Sequence, residues 1–88
     1  MEAVTAALRE ARANTVIVTD ELAADRPLWT GGELAQLATD ASRLAEDGRM
    51  TRRADEALPA AALVSGANLV VPDGHLDLAD GVGALLRY

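Results

Sequence analysis

Thr30-Gly31-Gly32-Glu33-Leu34-Ala35-Gln36-Leu37-Ala38-Thr39-Asp40-Ala41-Ser42-Arg43-Leu44-Ala45-Glu46-Asp47-Gly48 carries the strongest local signal in the chain. Thr30 and Glu33 have the spacing of a capping box, in which the Thr hydroxyl accepts from the Glu amide and Glu reaches back. Trp29 before the cap and Leu34 after it suit a hydrophobic staple. Leu34, Leu37, Ala38, Ala41, Leu44 and Ala45 fall on one stripe at helical spacing. Gly48 suits a left-handed C-cap. The pattern predicts a helix over 31–47.

Working outward, Val4, Ala7, Leu8 and Ala11 share a face and predict a helix over 2–13, with Glu2 and Arg9 placed as the helix dipole favours. Thr15-Val16-Ile17-Val18-Thr19 is the densest β-branched run and predicts a short strand. A short helix is expected through Glu21, Leu22, Ala23 and Ala24, capped by Thr19 or Asp20 and ending before Pro27. Met50–Arg53 can extend as a strand, and Ala54–Leu58 can make a helical turn that Pro59 stops. The stretches 60–65 and 68–71 read as extended. Pro72-Asp73-Gly74 is a turn with a mechanism, since Pro fixes φ, Asp bonds its own backbone and Gly accepts positive φ. With His75-Leu76-Asp77-Leu78 alternating beyond it, a C-terminal β-hairpin of 68–71 with 75–78 is expected. Val82, Leu85 and Leu86 suggest a terminal helix weakened by Gly81 and Gly83.

Composition narrows the function. The 88 residues suit one small domain, 1–88, and half of them are apolar, enough for a core. Much of that core is alanine, and the aromatics are only Trp29 and Tyr88. Alanine removes little area from water, so a protein partner or a second copy of the chain is expected to cover further apolar surface. The chain has one His, no Cys and no Lys, so it lacks most side chains that serve as base, nucleophile or ligand. It reads as a non-enzyme with no cofactor. Arg without Lys, beside abundant Ala, reads as codon bias of a GC-rich genome. A net charge of −6 argues against general nucleic-acid binding. No run approaches a membrane span and Met1-Glu2-Ala3-Val4 does not resemble a signal peptide, so a cytoplasmic location is expected.

Asp73, His75 and Asp77 are weak metal candidates: on a strand they would share one face, but one His and two carboxylates make a poor ligand set. Their plainer reading is a turn residue and the solvated face of a hairpin. Asp20-Glu21 and Glu46-Asp47 are adjacent acids read as solvated surface. Gly31-Gly32 could offer amides to an anion, although Glu33 competes for them. Arg43, Arg49, Arg52 and Arg53 form the one basic cluster and, with Trp29, the candidate interaction residues; the exposed side of the expected long helix and the 68–78 hairpin are the other expected interaction faces.

The expected order of helix, strand, short helix, long helix and hairpin resembles a winged helix-turn-helix. Leu44-Ala45-Glu46-Asp47-Gly48-Arg49-Met50-Thr51-Arg52-Arg53 is similar to the passage from that family's recognition helix into its first wing strand. The resemblance implies a small α+β, winged-helix-like regulatory domain. Glu33, Asp40, Glu46 and Asp47 on the recognition helix would repel a phosphate-lined groove, which favours a protein partner over DNA. Leu44 to Ser65 more faintly resembles the prevent-host-death antitoxins, with Ala54 to Leu58 as an insertion; that likeness implies a dimer binding operator DNA. The run Thr30 to Ala45 also resembles the helical lid of AAA-plus ATPases, without their phosphate-binding core. The reading is a small acidic protein-interaction or regulatory module, with a DNA-associated regulator as the rival and metal-dependent activity at 73–77 as a third course.

Overall fold

In the computed structural model, which describes residues 1–22 and 25–87, the β-branched run becomes the middle of a sheet. The elements are α1 (Glu2–Arg9), β1 (Ala13–Val18), β2 (Pro27–Thr30), β3 (Leu37–Ala38), β4 (Met50–Arg53), α2 (Ala54–Ser65), β5 (Asn68–Val70) and β6 (Val82–Leu86). One-turn 3-10 segments occupy Ala41–Arg43 and Ala79–Gly81. The architecture is α+β, with two three-stranded sheets in the orders β5-β1-β6 and β3-β2-β4. In the first sheet β1 pairs parallel with β5 and antiparallel with β6. The second is antiparallel throughout.

The two helices each pack on both sheets. One hydrophobic cluster joins Val4 and Leu8 of α1, Val16 and Val82 of the first sheet, Leu28 and Leu37 of the second, and Ala54, Ala57, Leu58, Ala61 and Ala62 of α2. The α2 positions recur at helical spacing, so one stripe of that helix is wholly buried. Small alanines let it lie close to its neighbours. Arg9 adds a polar tie, donating from Nη1 to the Leu37 carbonyl at 2.6 Å, which holds α1 to β3.

The helix expected over 31–47 does not form. Gly31 and Gly32 each weaken a helix by about 1 kcal/mol relative to Ala. Thr39, Asp40 and Ser42 offer local bonds that compete with it. Asp40 uses that option: its carboxylate accepts from the Ser42 amide at 3.0 Å and starts the short 3-10 turn. The Thr30 hydroxyl donates to the Met50 carbonyl, within sheet pairing, instead of capping Glu33. The apolar spacing is real but serves a strand and loops, burying Leu37, Ala38 and Leu44. The winged-helix order therefore lacks its recognition helix.

The hairpin of 68–71 with 75–78 is also replaced. β5 pairs with β1, and residues 71–78 form no strand; they lead round to β6 on the other side of β1. The terminal helix is β6, which Gly83 favours by being a poor helix former and β1 secures by antiparallel pairing. Residues 60–65 are helical, because α2 runs through Pro59 to Ser65. Of the short helix expected through Glu21–Ala24, Ala23 and Ala24 lie outside the described residues, while Glu21 and Leu22 sit in a turn and bend.

Candidate functional site

Adjacent parallel strands place their carboxyl ends side by side, and ligand crevices in α/β sheets open at such ends. Here Ile17 of β1 is in register with Val70 of β5, so the chain leaves both strands at one edge. Thr19, Asp20 and Glu21 follow β1 and form one wall of a cleft of about 470 Å³; Val71, Pro72, Gly74 and His75 follow β5 and form the other. A second cavity, of about 250 Å³, lies beside Met1, Val4 and Val82.

The β1 wall is fixed from beneath. Thr19 is buried, and its hydroxyl donates to the Gly81 carbonyl at 2.8 Å while its amide donates to the same oxygen at 2.9 Å. The Glu21 amide in turn donates to the Thr19 hydroxyl at 3.3 Å. Gly81 has a left-handed φ of +74°, and a Cβ there would stand 2.3 Å from the Leu22 nitrogen, so only glycine allows this approach. The β5 wall turns at Gly74, whose φ of +104° suits glycine alone. Across the mouth, His75 Nδ1 lies 2.9 Å from Glu21 Oε1. Both side chains are well exposed, so this bridge positions the loops without adding much stability.

The cleft thus combines two carboxylates, one imidazole and an aliphatic wall of Val71 and Pro72. Asp73, His75 and Asp77 are not on a strand, so alternation does not bring them to one face; all three are exposed, and His75 turns to Glu21. Among the described residues no group of three or more His, Cys, Asp or Glu is placed to hold a metal ion.

The four arginines of the basic cluster sit on a 3-10 turn, a loop and β4. Arg43 sits in the 3-10 turn, where its charge helps hold the Glu2 and Asp40 carboxyls low; the larger causes are bonds from Thr39 and Ser42 respectively. Arg49 donates to the Ala41 carbonyl at 2.9 Å. Arg52 and Arg53 are successive on β4 and point to opposite faces. Arg53 donates from Nε and Nη2 to Asp55 at 3.1 Å each. Trp29 is half-buried on β2 in register with Ala38 and Thr51.

Exposed apolar side chains of α2 and β5, together the ridge, adjoin the cleft. Leu63 (80% exposed) and Val64 (54%) lie in the last turn of α2, Leu69 and Val70 (44 and 42%) are successive on the edge strand β5 and so face opposite sides of it, and Val71 (69%) follows the strand. Val71 belongs to both features. Sequence reasoning named Asp20-Glu21 only as solvated surface and read Val71 and Pro72 as part of a 68–78 hairpin with an interaction face, without joining the two segments into one site. The available signal was a β-branched run ending in Thr-Asp-Glu, and the parallel partner needed to complete it lies about fifty positions away.

No family model matches the chain. It is similar to the Mycobacterium tuberculosis proteins named Uncharacterized protein Rv2629 (strain ATCC 25618 / H37Rv) and Uncharacterized protein MT2704 (strain CDC 1551 / Oshkosh). Each is 44% identical over 88 residues, spanning 97% of this chain and 23% of the relative. The chain thus covers about a quarter of the length of these bacterial relatives. Among the described residues no helix is long and apolar enough to cross a membrane.

Proposed function

We propose that the chain is a non-catalytic, cytoplasmic protein-interaction domain, acting through a protein partner or a second copy of itself by way of the ridge on α2 and β5. One observation carries this reading: five large aliphatic side chains, Leu63, Val64, Leu69, Val70 and Val71, stand 42–80% exposed on adjoining segments. Grouped apolar exposure of this kind marks interaction surfaces, whereas single exposed apolar residues need no explanation. The edge of β5 adds unpaired backbone groups suited to strand addition. The similarity to segments of much longer mycobacterial proteins fits a domain that works against other polypeptide.

The rival DNA-associated reading gains less from the geometry, since Arg49 and Arg53 are tied to Ala41 and Asp55 and no helix presents the cluster. The absence of native cysteine offers a direct test. Single variants L63C, V71C and, as a control, D47C are labelled with a maleimide in dilute purified form and in native extract. Labelling at 63 and 71 slows about tenfold in extract while 47 is unchanged. Equal rates at all three positions would refute the reading.

A further inference from the structure

We propose that the cleft between the carboxyl ends of β1 and β5 binds a cation carried on an aliphatic stem, a guanidinium or primary ammonium such as a basic side chain or a small alkylamine presents. The ridge reading is not needed for this, although Val71 belongs to both surfaces.

Five observations converge. The cavity, about 470 Å³, has the size of a ligand pocket and lies where two loops diverge from adjacent parallel strands. Its chemistry is one-sided: Asp20 and Glu21 supply two carboxylates against a single imidazole. Facing them, Val71 and Pro72 give an aliphatic surface on which methylene groups can lie while the charged head reaches the acids. Asp20 makes no ion pair among the described residues, and the one side-chain partner of Glu21 there is the imidazole of His75, 69% exposed. The wall is also built before any ligand arrives, because the Thr19–Gly81 bonds fix the backbone from which both carboxylates project. A backbone fixed in advance lowers the freedom lost when these carboxylates accept a planar, multi-donor guanidinium.

A metal fits this site less well, as no group of three or more ligating side chains is gathered among the described residues. An anion would meet two carboxylates.

The experiment is an amide-shift titration of the folded chain with agmatine, with N-acetyl-arginine amide and, at matched ionic strength, with sodium chloride and ethylene glycol as controls. The two guanidinium probes produce saturable shifts at Asp20, Glu21, Val71, Gly74 and His75, while the controls do not. Tighter binding of agmatine assigns the site to small amines, and tighter binding of the amino-acid amide assigns it to a basic protein side chain. The variants D20N and E21Q each weaken binding about tenfold with unchanged thermal unfolding. His75→Ala frees Glu21 and leaves binding equal or tighter, which separates loss of charge from disturbance of the loop. Shifts that fail to saturate, that sodium reproduces, or that persist in both D20N and E21Q would overturn the proposal.

Discussion

At the scale of single residues, Gly81 has the strictest requirement in the chain. The atoms a Cβ would strike are backbone, Leu22 N at 2.3 Å and the Glu21 carbonyl carbon at 2.5 Å, so no side-chain rotation relieves it. Gly81→Ala combines that overlap with left-handed strain and is expected to cost about 2–4 kcal/mol in urea unfolding. It also displaces the backbone that carries Asp20 and Glu21. A loss under about 0.5 kcal/mol would mean the loop is free to move. Asp55 supplies a pH-dependent counterpart. Hydrogen bonds from Arg53 hold its carboxyl below the ordinary value of 3.8. A depressed carboxylate adds stability that is fully present above its unfolded value and is lost as pH falls through the folded value. Asp55→Asn therefore lowers the melting temperature at about pH 6, and the deficit shrinks toward zero by about pH 2. A deficit that is constant with pH would assign the effect to helix capping instead.

At the scale of elements, α2 contains its own conflict. Pro59 stands inside the helix and cannot donate to the Asp55 carbonyl, yet the helix continues to Ser65. Burial of Ala54, Ala57, Leu58, Ala61 and Ala62 on both sheets outweighs the missing bond. Pro59→Ala restores the donor, and we expect a gain of about 1–2 kcal/mol after the greater freedom of the unfolded chain is deducted. A loss in chemical denaturation would show that the proline ring is needed for packing. The same conflict explains why the sequence misled here. Read locally, Pro59 stops a helix; read by spacing, the five buried positions spell one. The elements that were legible, α1, β1 and the extended stretch at β5, have patterns that agree with their surroundings. The run 31–47 was not legible because leucines and alanines three and four apart suit a helix as well as a strand flanked by loops. Only pairing with β2 and the Gly31–Gly32 opening separates the two. β6 was missed for a related reason: Val82, Leu85 and Leu86 are ambiguous until β1 provides a partner. The cleft was the least legible feature, because its walls meet only through the parallel pairing of β1 with β5.

At the scale of the whole molecule, stability is unevenly distributed. The radius of gyration is 11.9 Å, close to the roughly 12 Å expected for a domain of this length. Such a domain has a total stability of about 4–13 kcal/mol, and an alanine-rich core places it near the lower end. Within that total, β1 is the one strand of its sheet flanked on both sides, and its Val16 is fully buried. β5 and β6 each leave one edge to solvent, and β3 is only two residues long. The amides of Val16 and Ile17 should therefore exchange slowest, opening only with global unfolding. Those of β5, β3 and β4 should exchange at least about tenfold faster through local opening. This ordering has a functional consequence, because the ridge and the β5 wall of the cleft then belong to the less stable part of the fold and can adjust to what they bind. Native-state hydrogen exchange reads it residue by residue. If Trp29 and Thr30 proved the slowest instead, the second sheet would be the stable centre, and the β1 wall would lose its standing as the rigid side of the cleft.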